Sequence, residues 1–216
     1  MTLLFLSALA TFSALVFWVR HAGIDGQDPK ASAFKTASTA ALVVLGAVTG
    51  APGLIVAGLA LGSVGDYALS RDGKPSFLIG MAAFALGHLA YAVAFARNST
   101  VDVSVLPLAF WLTLALMTAL TLLTALWIAP KAGGLAWPVR GYALVIGAMA
   151  LAATLMPETP GRAITQIGVA LFVASDLILA IRLFVLRDRA LRLFAARALW
   201  PLYWLGQALI LWGSYA

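Results

Sequence analysis

The segment FLIGMAAFALGHLAYAVAF (residues 77–95) contains no Asp, Glu, Lys or Arg, and its one histidine stands near the middle. A helix that crosses a lipid bilayer needs about 20 mostly apolar residues, and this segment has that length. The whole chain has the same character, because 63% of its 216 residues are hydrophobic and only 10% are charged. Soluble domains are about 45–50% apolar and about 25% charged. The composition therefore predicts an all-α integral membrane protein.

Segments of similar length follow one another along the chain and predict a bundle of eight transmembrane helices. The predicted spans are 2–20, 33–50, 52–70, 77–96, 104–128, 138–156, 163–186 and 198–215. The turn at Gly50–Gly53 is ambiguous, since Pro52 could kink one long helix instead of separating two. The first segment has no basic residue before its apolar run, which favours a retained helix over a signal peptide. Residues 1–216 are thus predicted to form a single transmembrane domain.

The basic residues predict the topology, because cytoplasmic connections of membrane proteins are enriched in Lys and Arg. The chain has 14 Lys and Arg residues, and with eight spans the even-numbered connections contain only two of them, Arg97 and Arg162. This places the odd-numbered connections in the cytoplasm and both termini on the outer side. The Ala-, Leu- and Arg-rich composition is typical of a bacterial multi-pass inner-membrane protein. The net charge of +6 follows from this topology, so the expected partner is the lipid bilayer and no nucleic acid.

Three ionisable side chains are predicted at membrane depth. A charge there costs about 2.5–3.5 kcal/mol, so such residues tend to face a cavity or a partner. Asp66 lies toward the cytoplasmic end of the third span, beside a stripe of glycines that allows another helix to approach closely. His88 lies near the middle of the fourth span, with Tyr91 on the same face. Asp176 lies near the middle of the seventh span.

The eighth span adds two polar side chains at a similar depth. Tyr203 and Gln207 are four residues apart and share one face of the helix. Together with Asp176 they predict a polar pocket open toward the cytoplasmic leaflet. The alternative is a set of interhelical hydrogen bonds that hold the bundle together.

Several kinds of chemistry do not fit these residues. Zinc hydrolases need three or four His, Cys or carboxylate ligands, and the chain has no cysteine and one histidine at depth. No phosphate-binding or dinucleotide-binding fingerprint is present. No metal or organic cofactor is therefore expected. Two carboxyl groups and a histidine in a medium of low dielectric suit general acid–base catalysis, because burial raises the pKa of a carboxyl group toward neutral pH.

Six short motifs occur in order from the second to the eighth span. They comprise Lys35; Ser63, Gly65 and Asp66; Phe77, Gly80, Phe84, His88 and Tyr91; Tyr142 and Met149; Gly168, Leu171, Phe172, Ser175 and Asp176; and Tyr203, Trp204 and Gln207. In these motifs the chain resembles the YhhN family of membrane proteins, whose characterised members are lysoplasmalogenases. The family often has a second tyrosine where this chain has Trp204. Both aspartates at membrane depth fall in the motifs.

The resemblance implies an ether hydrolase that cleaves the vinyl ether bond of a lysoplasmalogen to a fatty aldehyde and a glycerophospho-headgroup alcohol. Acid hydrolysis of a vinyl ether passes through an oxocarbenium ion, and glycosidases stabilise a related state with two carboxyl groups. Catalytic roles are thus predicted for Asp66, Asp176 and His88, with Asp176 as the acid and Asp66 as the base; the two aspartates could exchange these roles. Residues predicted to bind the lysophospholipid substrate are Lys35, at its phosphate, Tyr91, Tyr203 and Gln207.

Other functions stay open at this point. Buried Asp and His residues also form the proton relays of transporters, although the chain lacks the repeated halves of many carriers. A hydrolase of this fold could act on another lysolipid or alkenyl ether, since many bacteria lack plasmalogens. No oligomeric state is predicted. A structural or receptor role would leave the buried acids without a task.

Overall fold

The structure, a computed structural model, describes residues 1–23, 28–97, 99 and 104–215. This part of the chain is helical and contains no strand, which confirms the all-α prediction. The α-helices are α1 (Thr2–Arg20), α2 (Pro29–Thr49), α3 (Gly53–Leu69), α4 (Lys74–Arg97), α5 (Leu108–Leu123), α6 (Ala136–Thr154), α7 (Arg162–Phe184) and α8 (Arg189–Gly213). Each overlaps one predicted span. The first and fourth predicted connections lie partly outside the described residues.

Five helical segments are long and apolar enough to cross a membrane. They are Thr2–Arg20, Pro29–Thr49, Lys74–Arg97, Leu108–Thr154 and Arg162–Phe184, the fourth of which contains both α5 and α6. Helix α3 is apolar but has only 17 residues, and α8 begins in a basic stretch. These features are compatible with a multi-pass membrane protein. Crossing by all eight helices stays a prediction, as does the side of the termini.

The ambiguous turn after the second span separates two helices. Helix α2 ends at Thr49, and Gly50 adopts φ +73°, a left-handed conformation that glycine accepts without strain. The backbone N–H of Ala51 then donates to the carbonyl oxygen of Gly46 at 2.9 Å. Pro52 directly precedes the first residue of α3. The glycine thus closes one helix, and the proline starts the next.

Helices α5 and α6 are joined without an open loop. A π-helical turn, Thr124–Ile128, leads into a 3-10 segment, Ala129–Leu135. Pro130 lacks a backbone N–H and Gly133 has φ +57°, so an ordinary α-helix cannot continue through this region. The guanidinium of Arg140 donates to the carbonyl oxygen of Ala125 at 3.3 and 3.4 Å. The predicted end of the fifth span at residue 128 coincides with the end of the π-helical turn.

Glycines allow the closest helix contacts. A Cβ atom on Gly168 of α7 would lie 2.8 Å from the carbonyl oxygen of Gly206 of α8. The predicted glycine stripe of α3 is likewise in contact with other helices. Gly58 faces the ring of Tyr91 on α4, and a Cβ on Gly62 would lie 2.6 Å from Nε2 of Gln207 on α8. These contacts bring α3, α4, α7 and α8 together around the polar side chains.

Gly168→Ala is expected to destabilise the protein, because its methyl group would meet the backbone of α8. Overpacking of this kind typically costs about 1–3 kcal/mol, and each kcal/mol lowers the Tm of a chain of this size by about 2–4 °C. The measurement is the apparent Tm in detergent. Gly141→Ala is the matched control, because a Cβ there meets no atom within 4 Å. Equal Tm values for the two variants would contradict the close packing of α7 on α8.

Candidate active site

A polar cavity of about 240 Å³ lies at the end of the bundle where α1, α3 and α7 end and α2, α4 and α8 begin. Asp66 from α3 and Asp176 from α7 both line it, together with Lys35 from α2 and Tyr203 from α8. This end of the bundle carries the odd-numbered connections, which contain most of the Lys and Arg residues. Four of the seven predicted site residues therefore meet at one cavity.

Asp66 is surrounded by hydrogen-bond donors and is 1% exposed. Nζ of Lys35 lies 3.2 Å from its Oδ1. The hydroxyls of Thr39 and Tyr203 donate to its Oδ2 at 3.0 and 2.9 Å. An ionised carboxylate only accepts hydrogen bonds, whereas a protonated one must also donate. Donors directed at Asp66 therefore stabilise a negative charge on it against the cost of its burial.

Gln207 and Tyr91 form a relay behind Tyr203. The hydroxyl of Tyr91 donates to Oε1 of Gln207 at 2.5 Å, and Nε2 of Gln207 donates to the hydroxyl oxygen of Tyr203 at 3.5 Å. Since that oxygen already accepts from Gln207, the proton of Tyr203 points to Asp66. Gln207 and Tyr91 are almost fully buried, and neither lines the polar cavity. Their predicted role in binding substrate stays a prediction, and their hydrogen bonds connect them to Tyr203.

Asp176 has a different environment, formed by His88 and Tyr142. Nε2 of His88 lies 3.0 Å from its Oδ2, and the hydroxyl of Tyr142 donates to the same oxygen at 3.3 Å. Nδ1 of His88 lies 2.7 Å from the carbonyl oxygen of Phe84, which can only accept, so Nδ1 carries a proton. Nε2 makes no aligned hydrogen bond within the described residues. Nε2 is therefore the ring nitrogen that can share a proton with the carboxyl group of Asp176, if the two side chains rotate into hydrogen-bonding alignment.

A second, apolar cavity of about 90 Å³ adjoins the polar one and lies mainly among α4, α5, α6 and α7. Its polar side chains are those of Asp176, Tyr142 and two threonines. Asp176, Phe84 and Leu179 line both cavities. Asp176 therefore stands at the junction between an apolar and a polar compartment.

Charged side chains surround the outer part of the polar cavity. Nδ1 of His21 lies 2.8 Å from Oδ2 of Asp28. The backbone N–H of Lys30 donates to Asp28 at the start of α2, and this bond lowers the pKa of Asp28 below its ordinary value. Arg182, in the last turn of α7, also lines the cavity and donates to the carbonyl oxygen of Arg192 at 3.2 Å. A cation and an ionised carboxyl thus both face the cavity.

Sequence reasoning does not single out four residues that the structure places at the site: Thr39, His21, Arg182 and Tyr142. Tyr142 enters the sequence analysis only as part of a family motif. A signal exists for Thr39, which follows Lys35 by four residues and so shares its helix face. In the described part of the chain, no group of three or more His, Asp or Glu residues could hold a metal ion.

The fold and the site define a bundle of membrane-compatible helices with two buried carboxyl groups at one cavity. The chain belongs to the YhhN family, whose profile matches residues 30–214. The match extends from α2 to α8, includes all seven predicted site residues and confirms the resemblance seen in the motifs. No curated protein and no solved structure shows a significant match to the chain.

Proposed function

We propose that this protein is a lysoplasmalogenase-type ether hydrolase, which converts a lysoplasmalogen and water to a fatty aldehyde and a glycerophospho-headgroup alcohol. The observation that carries the proposal is the position of Asp176 between an apolar and a polar cavity. A lysoplasmalogen has the same division, with a hydrocarbon chain on one side of its vinyl ether and a glycerophosphate on the other. Membership of the YhhN family supports a hydrolase.

The apolar cavity on one side of Asp176 and the polar cavity on the other orient the substrate. The hydrocarbon chain lies in the apolar cavity and the headgroup in the polar cavity, so that the vinyl ether meets Asp176. The side chain of Lys35 is 18% exposed and, with Arg182, supplies positive charge for the phosphate. Lys35 thus contacts the phosphate of the substrate and also forms an ion pair with Asp66. Asp28 gives the same cavity a negative group for a cationic headgroup.

The first chemical step is proton transfer from Asp176 to the alkene carbon distal to the ether oxygen. The C=C electron pair forms the new C–H bond, and the adjacent carbon becomes an oxocarbenium ion. The Asp176–His88 pair holds the proton beforehand, while ionised Asp66 stabilises the cation across the cavity. This division of work corresponds to that of the two carboxyl groups in glycosidases.

Water completes the reaction and restores both carboxyl groups. Asp66 takes a proton from the water that attacks the oxocarbenium carbon, which yields a hemiacetal. Asp66 then returns this proton to the glycerol oxygen as the C–O bond breaks. The hemiacetal hydroxyl gives its proton back to the Asp176–His88 pair and becomes the aldehyde carbonyl. One water is consumed, and no other reactant is needed.

We further infer that all eight helices cross a bacterial inner membrane, with both termini on the outer side. The polar cavity lies at the Lys- and Arg-rich end of the bundle, which is the cytoplasmic end by the positive-inside rule. A lysolipid of the inner leaflet has its phosphate at that depth. The protein then acts on lipids of the cytoplasmic leaflet.

The purified protein in detergent is expected to release a fatty aldehyde from a lysoplasmalogen. The saturated alkyl-ether lysolipid with the same headgroup and chain length is the control, since it has no alkene to protonate and should stay intact. Absence of aldehyde from acidic to alkaline pH would overturn the proposal. Lysolipid-driven proton movement in proteoliposomes without aldehyde release would point instead to a proton-coupled transporter. Cleavage of an ester lysolipid alone would point to a different lysolipid hydrolase.

A further inference from the structure

A third cavity of about 480 Å³ lies between α5, α6 and α7. This cavity shares four lining residues with the apolar cavity that Asp176 lines: Met117, Leu120, Val173 and Leu177. The two cavities therefore follow one another along α7. We call the combined space the chain groove.

The chain groove faces the surroundings of the bundle, because α5 is a peripheral helix. Among the described residues, α5 packs closely on α6 and on the joint that follows it, and its backbone does not approach α7. Met117 is the one buried residue of α5, whereas Leu112 and Leu116 are 62% and 56% exposed. In a membrane this face lies against hydrocarbon. The chain groove thus connects Asp176 with the acyl region of the bilayer.

The far end of the chain groove is polar. Nε2 of Gln166 donates to the carbonyl oxygen of Ala153 at 3.0 Å, and Thr154 lies beside it. Gln166 and Asp176 are ten residues apart on α7, which is about 15 Å at 1.5 Å per residue. Between these two ends the lining is apolar apart from a few threonines. The chain groove therefore suits an unbranched hydrocarbon chain of limited length.

We propose that the chain groove holds the hydrocarbon chain of the lysolipid substrate, which enters sideways from the bilayer between α5 and α7. Ala153 and Ala170, which line its outer half, determine the longest chain accepted. The identity of the occupant rests on the proposed function. The path itself rests on the continuity of the two cavities and on the gap beside α5.

Ala153→Phe and Ala170→Phe are expected to shorten the accepted chain, because Ala170 is six residues, about 9 Å, from Asp176 along α7. For a long-chain (octadecenyl) lysoplasmalogen, kcat/KM should fall about tenfold, which is about 1.4 kcal/mol of transition-state stabilisation. For a short-chain (octenyl) substrate it should stay within about twofold, because that chain ends before the added ring. Ala148→Phe on α6 is the matched control, since Ala148 is exposed and lines none of these cavities. Equal losses for both chain lengths would overturn the proposal.

Binding without cleavage gives a second measurement. A saturated alkyl-ether lysolipid with a photoreactive diazirine at the chain end is expected to label α5 and α7 near Thr113 and Gln166, and excess unlabelled lysolipid should compete. Labelling spread over the other outer faces of the bundle would overturn the chain groove. Labelling of the groove without aldehyde release from any substrate would leave the groove intact and refute the hydrolase. Ala170 is exposed, so Ala170→Phe keeps the test valid if Ala153→Phe fails to fold.

Discussion

Asp176→Asn is expected to lower kcat for aldehyde release by about 100- to 10,000-fold, the range that a positioned general acid contributes. Protonation of the alkene carbon needs an acid beside it, and an amide cannot supply that proton. The substitution keeps the size of the side chain and an oxygen that can still accept from Tyr142. The measurement is single-turnover aldehyde release, with binding of the saturated alkyl-ether analogue measured in parallel. Binding should change little.

Asp188→Asn provides the matched control for this variant. Asp188 is the exposed N-cap of α8, where its side chain accepts from the backbone N–H of Leu191. Because asparagine is an equally good N-cap residue, this variant should keep full activity. If Asp176→Asn retained more than about a tenth of wild-type kcat, a loss below the usual range for a general acid, Asp176 would not be the proton donor.

In the proposed mechanism, His88 and Tyr142 act through Asp176. Neither lines the polar cavity, and both contact the same carboxyl oxygen. The catalytic role predicted for His88 therefore stays a prediction, and in the proposed mechanism His88 shares with Asp176 the proton that is transferred. The side chain of His88 extends from α4 to α7, where it lies 3.0 Å from Asp176. The ring contacts Phe172 of α7, with ring centroids 4.4 Å apart.

The helices could be predicted from the sequence because hydropathy and length determine them almost alone. The two aspartates could be predicted for a related reason, since a carboxyl in an apolar run needs a cavity or a partner. The exact structure of the joint between α5 and α6 could not be predicted from the sequence. Its π-helical and 3-10 turns depend on how Pro130 and Gly133 are accommodated against α6, which is a tertiary effect.

The partners of each carboxyl group could not be predicted either. Helical spacing shows which side chains share a face, but not which neighbouring helix that face meets. The sequence predicts that Tyr91 and Gln207 bind substrate, and only the structure shows that they bond to each other behind Tyr203. Thr39 has an unremarkable place in an apolar helix, where threonine commonly bonds its own backbone. Here its one hydroxyl proton has two acceptors in reach, the carbonyl oxygen of Thr36 at 3.1 Å and Oδ2 of Asp66 at 3.0 Å.

Asp66→Asn is expected to abolish activity and also to destabilise the protein, whereas Asp176→Asn affects mainly activity. The amide cannot take a proton from water, so kcat should fall by about 100- to 10,000-fold. It also leaves the ammonium group of Lys35 without its partner at 3.2 Å. Removal of one member of a buried ion pair costs about 3–5 kcal/mol, and the partial exposure of Lys35 places the loss at the lower end. The apparent Tm in detergent measures it.

The double variant Lys35→Met/Asp66→Asn separates the two effects. Methionine is apolar and of similar length, so no uncompensated charge remains, and replacement of a whole buried ion pair by neutral groups is often close to neutral for stability. The Tm should return toward that of the wild type, while aldehyde release stays lost because the base is still absent. Recovery of both would mean that Asp66 serves only to neutralise Lys35. Recovery of neither would mean that the pair is required for the packing of α2 on α3, and the loss of activity in Asp66→Asn could then not be assigned to chemistry.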